Sequence, residues 1–287
     1  MTTESQESSA HLRKVLNTHG YGFHYAVVRR AKDLFSSDRS GWKFDAVEIP
    51  VIAQNQATHI DFVLRSKSDR TLLVGECKRA DPAKSNWCFA TSPYTRRDAS
   101  DGEVIIDHLQ FQPYRTIIHK PHYAYTQRGI FHLGFELRSP QKGDGSGRSS
   151  AIDEAITQVL RGTSGLIDHY SSDSRELTNP MNEKAVRFLP AIFTTARIWI
   201  TDANLSQADL TTGDFDKDSI QAQEADWIWF NYNRSPKIKP TLNLERAGGM
   251  LSDLSVDLRH QFTRSVAIVS TSGIDAFLCA DLDDWLW

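Results

Sequence analysis

The chain has 287 residues, 40% hydrophobic and 24% charged, an ordinary balance for a globular protein and enough for one large α/β domain or two small ones. A formal net charge of −3 counts against a protein that coats nucleic acid indiscriminately. Three scattered cysteines, Cys77, Cys88 and Cys279, make neither a disulfide framework nor zinc-ligand spacing and point to a reducing, cytoplasmic setting, with no apolar run long enough for a membrane helix.

Residues 1–9 are polar, lack the basic-then-apolar order of an export signal and read as a disordered tail. A short helix follows from Ser9 to Asn17, stopped by Gly20. Phe23, Val27, Ala31 and Leu34 recur at helical spacing and predict a second helix to Phe35. Phe44 to Ala53 alternates as a strand, and Pro50 marks it as an edge or a bulge. His59–Leu64 and Thr71–Lys78, rich in β-branched and large apolar residues and separated by a polar link, read as a β-hairpin. Ala80 to Gly102 is turn-rich, Val104 to Ile118 reads as partly helical, and Arg128 to Arg138 as a buried strand. Residues 139–150 form a flexible loop rich in Gly and Ser. A helix from Ala151 to Leu160 continues towards Tyr170 with a break at Gly162. Strands are expected over Arg187–Thr195, Ala196–Thr201, Asp226–Tyr232 and Ser265–Ser270, an acidic excursion over Asp202–Asp226, and a closing helix at Ile274–Leu278. The order is mixed α/β without internal repeats.

Buried strands rarely carry charge unless it is paired or used, yet Asp61 lies in the first arm of the hairpin and Glu76-Cys77-Lys78 ends the second. Alternation puts Glu76 and Lys78 on one face, with Gly75 and the Cys77 thiol towards the other. Hairpin pairing sets Asp61 beside Glu76, and two such carboxylates call for a cation between them; hard oxygen ligands suit Mg²⁺ or Mn²⁺, with the Cys77 backbone carbonyl as a further ligand. Lys78 would then orient or deprotonate a water, or neutralise charge building on a phosphate.

Asp61 followed by Glu76-Cys77-Lys78 at the end of an apolar strand, after a helix and a strand, resembles the PD-(D/E)XK nuclease superfamily. The resemblance implies a restriction-endonuclease-like αβββαβ core with a mixed sheet over residues ~20–138, within a nuclease core of residues 10–138, and a C-terminal α/β extension of the same domain over 151–287. It implies Mg²⁺-dependent cleavage of DNA, in bacterial defence or repair, with Asp61, Glu76 and Lys78 catalytic. Gln158–Gly162 and Phe188–Ala196 are similar to strings in bacterial restriction-endonuclease-like proteins. Where many members carry an acid on the first core helix, this chain has His24, which reads as a helix-surface histidine; Glu48 offers an alternative carboxylate or a surface residue. Gln110 and Tyr114 fit a Gln-x-x-x-Tyr pattern that would share a helical face, against which Pro113 argues for a loop.

Arg79, Lys84, Arg96, Arg97 and Arg115 cluster near the site in sequence, with Trp87, Tyr94 and Tyr114 interleaved, as either a nucleic-acid contact or a solvated loop. His108, His119, His122 and His132 lack zinc-ligand spacing and read as surface or core histidines. Expected partners are DNA, a second copy of the chain when both strands of a duplex are cut, and a partner protein of a defence system, with no membrane. RNA or single-strand cleavage, and a non-catalytic module that binds nucleic acid or protein, stay open.

Overall fold

The structure is a computed structural model, and it describes residues 8–9, 11–13, 15–16, 20–92, 102–112, 116–137, 151–172, 184–216, 220–233 and 262–282. It is a mixed α/β protein with two mixed sheets and few helices. Among the described residues no helix is long and apolar enough to cross a membrane.

Helix α1 (Tyr21–Ser36) precedes a meander of β1 (Trp42–Ala53), β2 (Gln56–Ser66) and β3 (Thr71–Lys78). Strands β4 (Asn86–Ala90), β5 (Gly102–Gln112), β6 (Thr116–Thr126), β7 (Ile130–Phe131) and β8 (Leu133–Leu137) come next. Then follow α2 (Ala151–Ser172), β9 (Lys184–Thr194), β10 (Arg197–Thr201), β11 (Ala222–Ala225), β12 (Trp227–Asn233), β13 (Thr263–Ser270) and the short α3 (Ile274–Leu278). The large sheet runs β1-β2-β3-β9-β13-β12-β7, with the β5–β6 hairpin branching from β9; the small one runs β11-β10-β4-β8. The described residues between 8 and 16 are helical, as their sequence suggests.

Strand β9 is the hub. Parallel to β3 along one edge, it pairs on the other with β5 as far as Phe188 and with β13 from Ala191. Pro190 falls in the handover between these partners, where a missing N–H costs little. Packed on both faces, β9 carries the continuous apolar run Phe188 to Phe193 that a central strand needs. One core lies against α2 and the small sheet, with Val74, Phe188 and Ile192; the other lies against α1 and α3, with Leu73, Leu189 and Phe193.

Three expectations need correction. Val104–Ile118 is not helical: β5 and β6 pair as a long hairpin, Gly102 to Gln112 against Thr116 to Thr126, because their β-branched and aromatic residues bury well on a pleat. Pro121 is tolerated there because β6 pairs only with β5 among the described residues. The run from 128 to 138 is not one strand but two, with β7 in the large sheet and β8 in the small one, switching at His132, whose N–H binds the Ala90 carbonyl at 3.0 Å. Finally, α2 runs unbroken through Gly162. A side chain there would meet Ile60, and one at Gly165 would meet Val51, both at 2.8 Å, so both glycines serve close helix-to-strand packing rather than a break.

A third glycine borders the candidate site. A Cβ on Gly75 would sit 2.3 Å from the Phe62 ring on the opposite strand. Gly75→Ala is therefore expected to lower stability by about 1–3 kcal/mol through overpacking, and Gly75→Ala/Phe62→Leu to recover part of the loss, read from urea midpoints. Equal midpoints for wild type and Gly75→Ala would show that the ring moves aside freely.

At the far end of β9, His108 lies opposite Arg187 on β9 and Lys120 on β6, with the His122 ring 5.8 Å away. Burial, then Arg187, His122, Lys120 and His119, push its pKa down to about 4, and neither ring nitrogen has a hydrogen-bond partner. The unfolded chain takes up that proton near pH ~6.5, so between there and pH 4 the unfolded state binds more protons. The stability this residue confers is complete above pH ~6.5 and is lost as pH falls towards 4, by about 2–3 kcal/mol at pH ~4.5. Denaturant unfolding at pH 7 and 4.5 should show a smaller drop for His108→Leu than for wild type; equal drops would overturn this.

Candidate functional site

The site lies where β1, β2 and β3 meet the start of α1. The β2–β3 ladder ends at Phe62 opposite Gly75, and the same register would set Asp61 opposite Glu76. Beyond that pair a side chain takes over from the backbone: the Cys77 N–H donates to Asp61 Oδ2 at 2.6 Å. The exits of β3 and β9 are tied by Thr195, whose N–H binds the Lys78 carbonyl at 3.2 Å while its Oγ1 accepts from the Ala80 N–H at 2.9 Å.

Register in β1 decides who faces Asp61. Pairing passes from Phe44 opposite Leu64 to Ala46 opposite Val63, so Asp45 is an extra residue in a bulge. The flanking pairs Val47–Phe62 and Ile49–Ile60 leave Glu48 opposite Asp61; without the bulge, Val47 would stand there. Glu48 has φ 52°, a left-handed conformation within a strand. Strain of this kind costs about 1–3 kcal/mol and collects at functional sites.

Helix α1 adds His24. Its Nδ1 is 3.2 Å from Glu48 Oε1, its ring stacks on Tyr25 at 4.8 Å, and its buried Nε2 has no hydrogen-bond partner. The histidine is 4% exposed, not a surface residue as its sequence context suggests. The spacing His24, Val27, Val28, Ala31, Leu34 is the buried face of α1, and reading that stripe from Phe23 instead turned His24 outward. His24, Glu48 and Asp61 each place a ligand atom so that all lie within 4.8 Å of one another.

At the end of β3, Lys78 Nζ is 3.5 Å from Glu76 Oε1. Glu76 is 7% exposed, and burial, then the charge of Asp61, push its carboxyl up to about 8 against the pull of Lys78, with Glu154 of α2 adding to the rise. Burial also raises Asp61, opposed by the Cys77 N–H and by His24 and Lys78, and reinforced by Glu48. The Cys77 thiol packs into the core beside α1, its pKa pushed well up by burial and by Asp61, Glu76 and Glu48.

Two further groups come from α2, which the sequence pattern did not single out as site residues. Glu154 acts on Glu76, and Gly162, two turns on, packs on Ile60 beside Asp61. Gln158 lies midway on that stripe, and its buried Oε1 has no hydrogen-bond partner. The periodicity of α2 carries this information only once the strands under each turn are known.

Other candidates lie elsewhere. Gln110 is on β5, not a helix; its Oε1 accepts from Lys120 Nζ at 2.9 Å. It pairs with Ala185, seven residues along β9 from the partner of Glu76, or about 23 Å. Lys84 is 3.3 Å from Glu136, and Arg79 is exposed at the end of β3. Tyr114, Arg96, Arg97 and Arg115 lie outside the described residues.

Carboxylates outnumber cations here, and the His24 imidazole lies among them. Three ligand atoms within 4.8 Å of one another could hold a divalent cation, and an imidazole among them favours a transition ion over Mg²⁺. No family model, curated protein or solved structure matches this chain.

Of the three thiols, Cys279 alone is exposed, while those of Cys77 and Cys88 are raised by burial. Iodoacetamide should alkylate Cys279 quickly in the native protein and all three in denaturant, read by mass spectrometry. Rapid native labelling of Cys77 would show that the site opens towards the core.

Proposed function

We propose that the chain is a divalent-cation-dependent nuclease of the PD-(D/E)XK kind, hydrolysing phosphodiester bonds in DNA and working in bacterial defence or DNA repair. The observation that carries this reading is the placement of Asp61 beside Glu76-x-Lys78 on adjacent strands, with His24 and Glu48 closing the cluster on Asp61. The element order supports it with changed bounds: the described residues from 79 to 137 do not supply the second helix expected within ~20–138, and α2 with β9, parallel beside β3, would complete an αβββαβ order, with residues 79–150 between.

In this reading Asp61, Glu48 and His24 would hold the cation, with Glu76 and the Cys77 carbonyl as further oxygen ligands. A bound divalent ion supplies an acidified water and polarises a phosphoryl oxygen. Lys78, held by Glu76, presents its ammonium to the charge that builds on the phosphate and orients the attacking water. The raised carboxyl of Glu76 fits a group that releases its proton when positive charge arrives. The Gln158 carbonyl oxygen, buried on α2 without a hydrogen-bond partner among the described residues, would be free to accept from a group of the site. A duplex substrate needs two such centres, and a homodimer meets that need.

Supercoiled plasmid, single-stranded DNA and RNA, each with Mg²⁺, Mn²⁺ or EDTA, form the test. Cleavage is expected only with a cation, with Mn²⁺ effective at the lower concentration. Asp61→Asn, Glu76→Gln and Lys78→Ala should each cost about 100-fold or more, with circular dichroism unchanged. Cleavage that survives these changes, or none of any substrate with either ion, would remove the hydrolase reading and leave a binding module.

A further inference from the structure

Strands β3, β9 and β13 are parallel, so their carboxyl ends share one rim of the large sheet. Such rims are where open α/β sheets collect ligands. Following the register across it, Cys77 stands opposite Phe193, Phe193 opposite Val269, and Val269 opposite Trp227. The start of β12 is thus three strand spacings, about 14 Å, from the candidate site. A cavity of about 580 Å³ opens at that point, between the start of β12, the residues leading into β7, and the carboxyl ends of β4 and β10.

Its chemistry is divided. The floor is apolar, with Phe131, Ile200 and Ile228. The rim is polar: the exposed Asp202, Gln221 and Gln223 have no side-chain hydrogen bond or ion pair among the described residues. Asp226 beside them takes only the Ser272 hydroxyl, at 2.8 Å, on its carboxylate. Arg128, also lining the cavity, has its guanidinium 4.1 Å above the Trp227 ring and no ion-pair partner among the described residues. Trp227 is 4% exposed, yet its indole N–H has no hydrogen-bond partner. Carboxamides and a carboxylate around an apolar slot suit a flat ring with donors and acceptors on its edge, and the volume falls in the range of small-molecule sites.

We propose that this cavity receives one unpaired nucleobase of the substrate, a few nucleotides from the scissile phosphate. The inference rests on the nuclease reading for its substrate class. A stacked strand advances 3.4 Å per base step and an unstacked one further, so 14 Å spans about four steps or fewer. A stacked, paired base cannot present its edge to such a slot, so the substrate has a single-stranded or extrahelical base there. Gln221 and Gln223 offer both a donor and an acceptor, and Asp202 accepts from an exocyclic amino group, which favours adenine or cytosine over thymine.

The probe is 2-aminopurine, placed in a single strand, in a one-base bulge and in a full duplex, titrated in EDTA so that the cation site takes no part. The unpaired probes are expected to change fluorescence on binding at least tenfold more tightly than the paired one. Gln223→Ala and Asp202→Ala, on the exposed rim, should abolish that preference, as should Ile200→Trp, which fills the cavity. Equal binding of all three probes, or a preference untouched by Gln223→Ala and Asp202→Ala, overturns the cavity assignment whatever the cleavage assay gives. A preference that those variants abolish in a protein that cleaves nothing upholds the base site and removes only the nuclease reading.

Discussion

The structure around the site depends on one exchange: at the end of the β2–β3 ladder, a carboxylate replaces a carbonyl. The Cys77 N–H would otherwise be an orphan where the two strands part, and Asp61 takes it at 2.6 Å. The bond holds a buried acid in one orientation and at the same time brings it against Glu76. Burial pushes both carboxyls up, and a neighbouring carboxylate adds to the rise of each, Glu48 at Asp61 and Asp61 at Glu76. Lys78 relieves only part of it. A pair arranged for stability alone would have been better served by apolar residues of the same size. The arrangement makes sense as a site waiting for positive charge.

Packing around this exchange is correspondingly tight. Gly75 lets the Phe62 ring lie across β3, and that ring in turn stacks near His24 at 6.2 Å and against Phe193 at 5.4 Å. The site is therefore built on the apolar layer beneath it, and a change of one methyl group in that layer reaches the ligands. At the other end of β9, Asp107 accepts from Arg264 at 2.8 Å and lies 3.0 Å from His119, fastening β5 to β13 where the sheet forks. Both ends of the hub strand thus carry buried charge. At the fork it is paired within the protein, whereas at the rim it is not fully compensated.

Much of the local structure was legible because it rests on short-range pattern. The β2–β3 hairpin, the helices at 21–36 and 151–172 and the apolar β9 all declare themselves by period and composition. Asp61, Glu76 and Lys78 stood out for the same reason, as charge where strands should be apolar. The β5–β6 hairpin did not, since alternation in Ile105 to His108 is blurred by burial on both faces. The place of β9 beside β3, after more than a hundred intervening residues, is a long-range pairing that no local pattern encodes. Glu48 was ambiguous because a one-residue bulge at Asp45 decides its face, and bulges leave little trace in composition.

That bulge also explains why the cluster needs strain at all. The carboxyl ends of β3, β9 and β13 deliver Glu76 and Lys78 to the rim by topology alone. Strands β1 and β2 run antiparallel through the same region, so their contributions come from mid-strand, where side chains normally point into a core or flat to solvent. The extra residue in β1 turns Glu48 to the level of Asp61, and the left-handed backbone at Glu48 accompanies that turn towards His24. A structural ion pair would tolerate looser placement through the long reach of glutamate. On the proposed reading, strain at Glu48 would hold its carboxylate beside His24 and Asp61 for a divalent ion, a closer demand than a salt bridge makes.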